Sequence, residues 1–446
     1  MKSLNKINSP SILNLLIQTG LVLLPFSHFK WLPELGTTRP VSSVLFVLAF
    51  GLAFLSYAVK QKFHPVLSIR SFYIDHLAHL PGWQALKFWL ILIALGTISA
   101  FLTPFYGNFF QALNRLLGYW IIFSMLYCGY YAIQAFGIRR TCWYIGIGYI
   151  PVLLYAIIET LAIVNFPPAL KAVLFIRHWI VVDFIWANRM ALFTTEPSFI
   201  SFQLLLLVAI LPFLSNKLLR ISSFLLLGLG ILFAQSGTGV LVMGSYLFFR
   251  TILALKRPVL IRLLITGVVF VFLAGVAYAT LPSLQTSLAD LSESAFKIDR
   301  LRGMRYSYLI RSSYTKNLAY ALLETRGLGL GIGQYGQFWK DIYLRHIDYH
   351  PFDVFGEITH QLNSNEYMRP WSVILGIGSD LGIPGMLILA LFFYFSFKPA
   401  LSSHGRAIIL AGVVAMTGAY PIVTPHVWLA MAMITAHAVQ LIPGSE

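Results

Sequence analysis

Two groups of side chains in this chain have the types and spacing for chemistry. The first is a set of guanidinium groups: Arg177, Arg189, Arg300, Arg302, Arg305 and Arg311. Arginine presents a planar fork of donors that matches phosphate oxygens. Arg302 and Arg305 stand three residues apart, which puts them on one face of a helix. Together these groups suit the capture of a pyrophosphate, with Arg302, Arg305 and Arg311 at the start of the loop helix. The plainer use of any one of them is contact with lipid headgroups or pairing with Asp299 or Glu293.

The second group is His346, His350 and His360, set among Asp348, Asp353, Glu357 and Glu366. A histidine or carboxylate there would act as general base on a sugar hydroxyl. His360, Glu357, Glu366 and His350 are the candidates for that catalytic role. Their spacing fits no metal motif, and Cys128 and Cys142 have no CxxC partner, so no metal site, disulfide or cofactor is expected. Other polar groups sit within apolar runs: Glu159, His426 and His437. Helix-to-helix hydrogen bonding is their ordinary use, and a proton or ion path the rarer one.

Glycines and aromatics also cluster. The run Gly327, Gly329, Gly331 and Gly333 alternates with apolar residues. It lacks the Lys-Ser/Thr of a phosphate loop, so a tight turn with close backbone packing is expected. Tyr343, Tyr349, Phe352, Phe355, Tyr367 and Trp371 would stack on sugars or sit at a membrane interface.

The elements that must position these groups are set by composition. The 446 residues are 58% hydrophobic and 11% charged, against about 25% charged in a soluble domain. Lipid must therefore solvate much of the chain. Twelve apolar stretches read as spans: 11–29, 41–59, 86–103, 114–136, 143–165, 198–214, 221–235, 238–255, 263–281, 371–397, 405–422 and 425–442. The first resembles a signal peptide without a cleavage site, so it reads as a retained span.

Basic residues set the orientation. Lys2 and Lys6, Lys60 and Lys62, Arg139 and Arg140, Lys217 and Arg220, Arg250 to Arg262, and Lys398 and Arg406 all fall on one side of a twelve-span layout. That side is the cytoplasm, with both termini on it. The net charge of +16 is explained by these clusters, and no nucleic-acid partner is expected. The chain divides into residues 1–282 (nine spans with a smaller periplasmic segment, 166–197), a large periplasmic loop, 283–370, and residues 371–446 (the last three spans). The loop holds nine of the 16 acidic residues and ten Lys or Arg. Such a balanced, aromatic-rich segment is expected to fold. Residues 307–325 read as a helix ending at Gly327, and the rest as turns and short irregular pieces.

Four segments occur in a telling order. Arg189 to Ser198 reads RMALFTTEPS, Ser236 to Phe249 reads SGTGVLVMGSYLFF, Arg305 leads a helix ending in GLGLGIGQY, and Gly378 to Phe392 reads GSDLGIPGMLILALF. This set, over about 189–395, resembles the O-antigen polymerase and ligase superfamily of bacterial envelope proteins. The resemblance implies an all-α polytopic inner-membrane protein, GT-C-like, with about twelve transmembrane helices and its large loop between the ninth and tenth. It implies a metal-independent glycosyltransferase that joins undecaprenyl-pyrophosphate-linked oligosaccharides at the periplasmic face. Arg189 and Arg305 match the family's pyrophosphate-binding arginines. The implied partners are the lipid-linked donor and acceptor, membrane lipids and a chain-length regulator.

Two departures bear on the choice within the family. Ligases often carry a histidine about eleven residues before the first glycine of the later motif. Counting back from Gly382 gives Trp371 here, which favours the polymerase and leaves the base unassigned. Ser236–Gly237 stands where the family has a Ser-Arg pair. The alternatives are an O-antigen ligase that transfers polymer to lipid A core, and a lipid-linked oligosaccharide flippase. A flippase would line its spans with charge, whereas here the charge gathers in the loop. A structural chain-length regulator would need a long coiled coil, which the pattern lacks.

Overall fold

The apolar runs fold as helices. The computed structural model describes residues 12–26, 29–32, 40–105, 107–180, 190–194, 199–234, 236–255, 299–349, 353, 356–364, 370, 372–417 and 424–441. The side chains of residues 299–309, 311 and 357 lie outside that description. Every regular element among the described residues is helical. In chain order these are α1 (Ile12–Val22), α2 (Val41–Lys60), α3 (Pro65–Asp75), α4 (Trp83–Leu102), α5 (Phe109–Ile163), α6 (Pro167–Ile180), α7 (Ile200–Ile210) and α8 (Lys217–Ala234). They continue with α9 (Gly237–Ala254), α10 (Asp299–Glu324), α11 (Tyr335–His346), α12 (Glu357–Asn363), α13 (Val373–Phe397), α14 (Ser403–Thr417) and α15 (Pro425–Gln440).

Five of them, α2, α4, α5, α8 and α13, are long and apolar enough to cross a membrane. Shorter apolar helices cover Ile12–Val22, Ile200–Phe213, Thr238–Ala254 and Ser403–Thr417. The long helices also expose large apolar side chains: Leu48 and Leu55 on α2, Ile98 and Phe101 on α4, Leu154 and Leu161 on α5, Leu387 on α13. Water does not tolerate such rows and lipid does, so these helices mark a membrane protein.

α5 runs for 55 residues, which a straight helix would stretch to about 80 Å. Gly137 breaks it, with φ 73° and ψ 162°. The break falls just before Arg139 and Arg140 and separates the two apolar stretches expected at 114–136 and 143–165. Thr141 Oγ1 spans it, donating to Gly137 O at 2.9 Å and to Ala132 O at 3.2 Å. The helix carbonyls freed by the turn thus keep a donor.

α7 is buried on every side, from Ile200 through Ile210. It packs against α9 and α15, and α13 against α4. A large apolar core runs through these helices. A second core is separate. Ile310, Tyr314, Leu318 and Ala321 of α10 face Tyr335, Trp339, Ile342 and Tyr343 of α11, with Ile358 of α12. Both helical faces follow the three-to-four-residue period of an amphipathic helix.

The structure corrects several expectations of local form. Residues 335–346 and 357–363 are helices, not irregular pieces. The signal was present in the spacing of Tyr335, Trp339, Ile342 and Tyr343. α3 was not anticipated, and α8 begins at Lys217, before the expected start. The apolar stretch 371–397 is interrupted at Gly382. The stretch 263–281 lies outside the described residues.

Candidate functional site

The interruption of α13 organises the site. Gly382 has φ 69° and ψ −163°, and Pro384 follows it. In an unbroken helix the amide of Ile383 would donate to Ser379 O. Here it donates to Gly327 O at 2.7 Å, and Ser379 O instead accepts the amide of Leu330 at 2.6 Å. The glycine turn has entered the helix by taking over one of its hydrogen bonds. Only glycine permits so close an approach: a β-carbon on Gly329 would lie 2.6 Å from Gly382 N, and one on Gly333 2.5 Å from Gln111 O. Gly327, Gly329, Gly331, Gly333 and Gly382 all have positive φ, which glycine adopts at least cost. The expected tight turn is therefore present, and what it packs against is a broken helix.

Beneath the turn lies a buried carboxylate. Asp380 Oδ1 accepts the amide of Gly333 at 3.0 Å. Its Oδ2 accepts from Arg115 Nε at 2.6 Å and Tyr119 OH at 2.9 Å. The turn is fastened to α5 and α4 as well. Gln334 Oε1 accepts the amide of Asn108 at 2.8 Å, Gln334 Nε2 donates to Asn108 O at 3.1 Å, and the amide of Ile332 donates to Ser99 Oγ at 3.0 Å. Asp380 is buried and Arg115 partly so, which makes the geometry of the pair demanding.

A second buried pair holds the chain after α6. Glu159 accepts the amides of Ala191 at 3.1 Å and Leu192 at 2.9 Å. Arg177, 1% exposed, donates to Leu192 O at 3.0 Å, Thr194 O at 3.1 Å and Tyr155 OH at 3.2 Å. Leu192 has φ 50°, a conformation that persists because these bonds over-determine it. Met190 N donates to Phe233 O on α8 at 2.9 Å. Arg177, one of the guanidinium groups singled out in the sequence, is thus buried and bonded within the protein to Leu192, Thr194 and Tyr155. Glu159 accepts from a loop backbone, beside Arg177 of α6. His426 is buried at the start of α15, and His437 meets the ring of Phe213 at 5.0 Å.

The helices α10, α11 and α12 form the unit that carries the remaining candidates. Asn317 Nδ2 donates to Tyr335 OH at 3.1 Å and to Trp339 O at 3.0 Å, and Tyr314 OH donates to Gln361 Oε1. Asp353 caps α12 by accepting the amides of Ile358 at 3.0 Å and Thr359 at 2.8 Å. His360 stands exposed on α12, and Glu357 is that helix's first residue. Arg302, Arg305 and Arg311 lie on the backbone of α10. Arg189, His350 and Glu366 lie outside the described residues. Among the described residues no cluster of three or more metal-ligating side chains is present.

Arg115, Tyr119 and Asp380 were not anticipated as a group. They are 261 and 265 residues apart along the chain, and no local pattern couples them. The one signal was Asp380 itself, a lone carboxylate within an apolar motif. No family model matches the chain, and no curated protein matches its sequence.

Proposed function

We propose that the chain is a periplasmic-face glycosyltransferase that polymerises undecaprenyl-pyrophosphate-linked oligosaccharides into O-antigen or a similar surface polysaccharide. The observation that carries this reading is the attachment of α10. An arginine-led helix is joined through the glycine turn to the interior of a lipid-embedded helix. The backbone that carries Arg302, Arg305 and Arg311 is thereby joined to that helix, as capture of a lipid pyrophosphate requires.

The layout invoked is twelve spans with residues 283–370 in the periplasm and both termini in the cytoplasm of the inner membrane. Long-range hydrogen bonds support it by joining groups it puts on one side. Lys30 Nζ with His178 O at 2.9 Å, Gln334 with Asn108, and Met190 with Phe233 fall outside. Gln134 Nε2 with His79 O at 3.4 Å and Thr435 Oγ1 with Ser396 O at 3.2 Å fall inside.

In the reaction, an acceptor hydroxyl attacks the anomeric carbon of the donor sugar. The bond from that carbon to the phosphate oxygen breaks, and pyrophosphate leaves with the electron pair. Arg189 and Arg305, with Arg302 and Arg311, stabilise its charge. One of His360, Glu357, Glu366 and His350 takes the hydroxyl proton. The arginines do what a divalent ion would otherwise do, so activity survives EDTA.

The test is Arg305→Ala in cells. It abolishes polymer while the protein stays inserted and expressed, and single units still reach the core lipid. Polymer of ordinary length and yield in that variant excludes the assignment, and loss of single units as well points to the ligase.

A further inference from the structure

The unit built from α10, α11 and α12 carries a pocket that the proposed reaction does not use. It holds about 190 Å³ and is lined by Ser312, Lys316 and Tyr320 of α10 and by His346 and Asp348. The α10 residues recur at intervals of four, so one strip of that helix forms a side of the pocket. The Tyr320 and His346 rings are stacked, with centroids 4.5 Å apart and planes 10° from parallel.

This wall is held in place. Glu324 Oε1 lies 2.5 Å from His346 Nε2, and its Oε2 accepts from Arg345 at 2.9 Å. Behind it Tyr343 OH donates to Ser313 Oγ at 2.8 Å. Burial pushes the Tyr343 phenol up to about 12, so it stays a donor at physiological pH. The aromatic surface is therefore built before any ligand arrives.

We propose that this pocket binds one neutral sugar ring of the saccharide substrate. The proposal rests on the glycosyl-transfer reading and adds a subsite to it. The volume far exceeds the roughly 10–15 Å³ that one water needs on this measure and leaves room for a single sugar ring. Lys316 supplies donors, Asp348 acceptors and Ser312 a hydroxyl, set beside a flat aromatic wall. That is the equipment for a ring with hydroxyls on its rim and C–H groups on its face.

Charge argues for a neutral ligand. Lys316 and Asp348 cancel, and Arg345 pairs with Glu324, so an anion meets no excess of positive charge. Position fits as well. Lys316 lies eleven residues beyond Arg305, about 16 Å along the helix at 1.5 Å per residue. A short oligosaccharide spans that distance between its pyrophosphate end and a distal sugar.

The test uses the full chain in lipid nanodiscs and saturation-transfer NMR. The probe is the lipid-free saccharide released by mild acid from the host's own carrier lipid. Wild type transfers saturation to one sugar ring more strongly than to the others. Tyr320→Ala and Lys316→Ala each weaken binding on the order of tenfold, whereas Tyr320→Phe, which keeps the stack, binds like wild type. Loss of binding in Tyr320→Phe as well, no transfer in wild type, or displacement of the saccharide by inorganic pyrophosphate overturns the proposal. Polymer formation in cells separates the two readings. Saccharide binding by a protein that makes no polymer leaves the pocket standing and removes the polymerase. Polymerisation with an unchanged KM in Tyr320→Ala does the reverse.

Discussion

The amide of Ile383 donates to Gly327 O at 2.7 Å and not to Ser379, four residues back in its own helix. The bond that Ser379 loses is replaced by Leu330 at 2.6 Å. One helical hydrogen bond has become two bonds across a joint, and this joint couples α10 and α11 to the apolar bundle. It predicts what happens when its parts are changed.

Glycine is required where backbones meet. Gly329→Ala and Gly382→Ala each place a side chain at positive φ against backbone. Each destabilises by at least about 1–2 kcal/mol from the φ penalty alone, and more from the contact. Gly228→Ala, where a β-carbon meets nothing within 4 Å, is neutral or stabilising. Thermal unfolding in detergent distinguishes them, and equal melting temperatures for Gly382→Ala and Gly228→Ala would contradict the joint.

The carboxylate beneath the turn must accept three donors. Asp380→Ala removes the acceptor for Arg115 Nε, Tyr119 OH and the Gly333 amide, at a cost of about 1–3 kcal/mol through the donors left in the interior. Asp380→Asn keeps an acceptor and loses the charge, so its cost is smaller. The measurement is the fraction of folded, monodisperse protein on size exclusion after mild heating. The order expected is wild type above Asn above Ala, and Ala matching wild type would remove the role.

Glu159 and Arg177 fix the chain that follows Arg189. Glu159→Gln offers one good acceptor for two amides, and Arg177→Met removes the donors to Leu192 O and Thr194 O. Each costs about 1–3 kcal/mol through unsatisfied buried groups. The local readout is thiol labelling of Thr194→Cys, a buried position. It is protected in the parent and reactive in both variants. Continued protection in Arg177→Met would mean that other contacts hold the segment.

His76 sits in the connection between α3 and α4, with Tyr127 OH 2.6 Å from its Nε2. The rings of Tyr57, Phe72 and Tyr131 surround it. Burial, then the Lys60 and His79 charges, push its pKa down to about 4. A folded-state value below the unfolded 6.5 favours the neutral ring in the fold. Stability is therefore full above pH 6.5 and declines as pH falls through 6.5 towards 4. His76→Gln flattens that decline, and an unchanged profile in the variant would assign the acid sensitivity elsewhere.

Much of this was legible in the sequence because lipid imposes a simple rule. Apolar runs of about twenty residues must be helices, and α2, α4 and α8 lie close to where composition put them. The glycine run was legible as a turn because alternating glycines are wasteful anywhere else. What stayed hidden was pairing. Neither Arg115 nor Asp380 announces the other, since helix packing brings them together and no local period does. Arg177 looked like a candidate for phosphate because its type was read without its burial. The break in α13 was missed because Gly382 and Pro384 are tolerated in membrane helices, and only the arriving turn fixes the backbone there.

That arrival has a consequence for biogenesis. Ser379 and Ile383 lie about 9 to 15 Å along α13 from Val373 at 1.5 Å per residue, and their stray backbone groups would each cost several kcal/mol bare in hydrocarbon. The glycine turn is synthesised before the helix it completes. A nascent chain must therefore hold residues 327–333 close to residues 379–383 while α13 forms, so that the turn and the broken helix are obliged to complete each other.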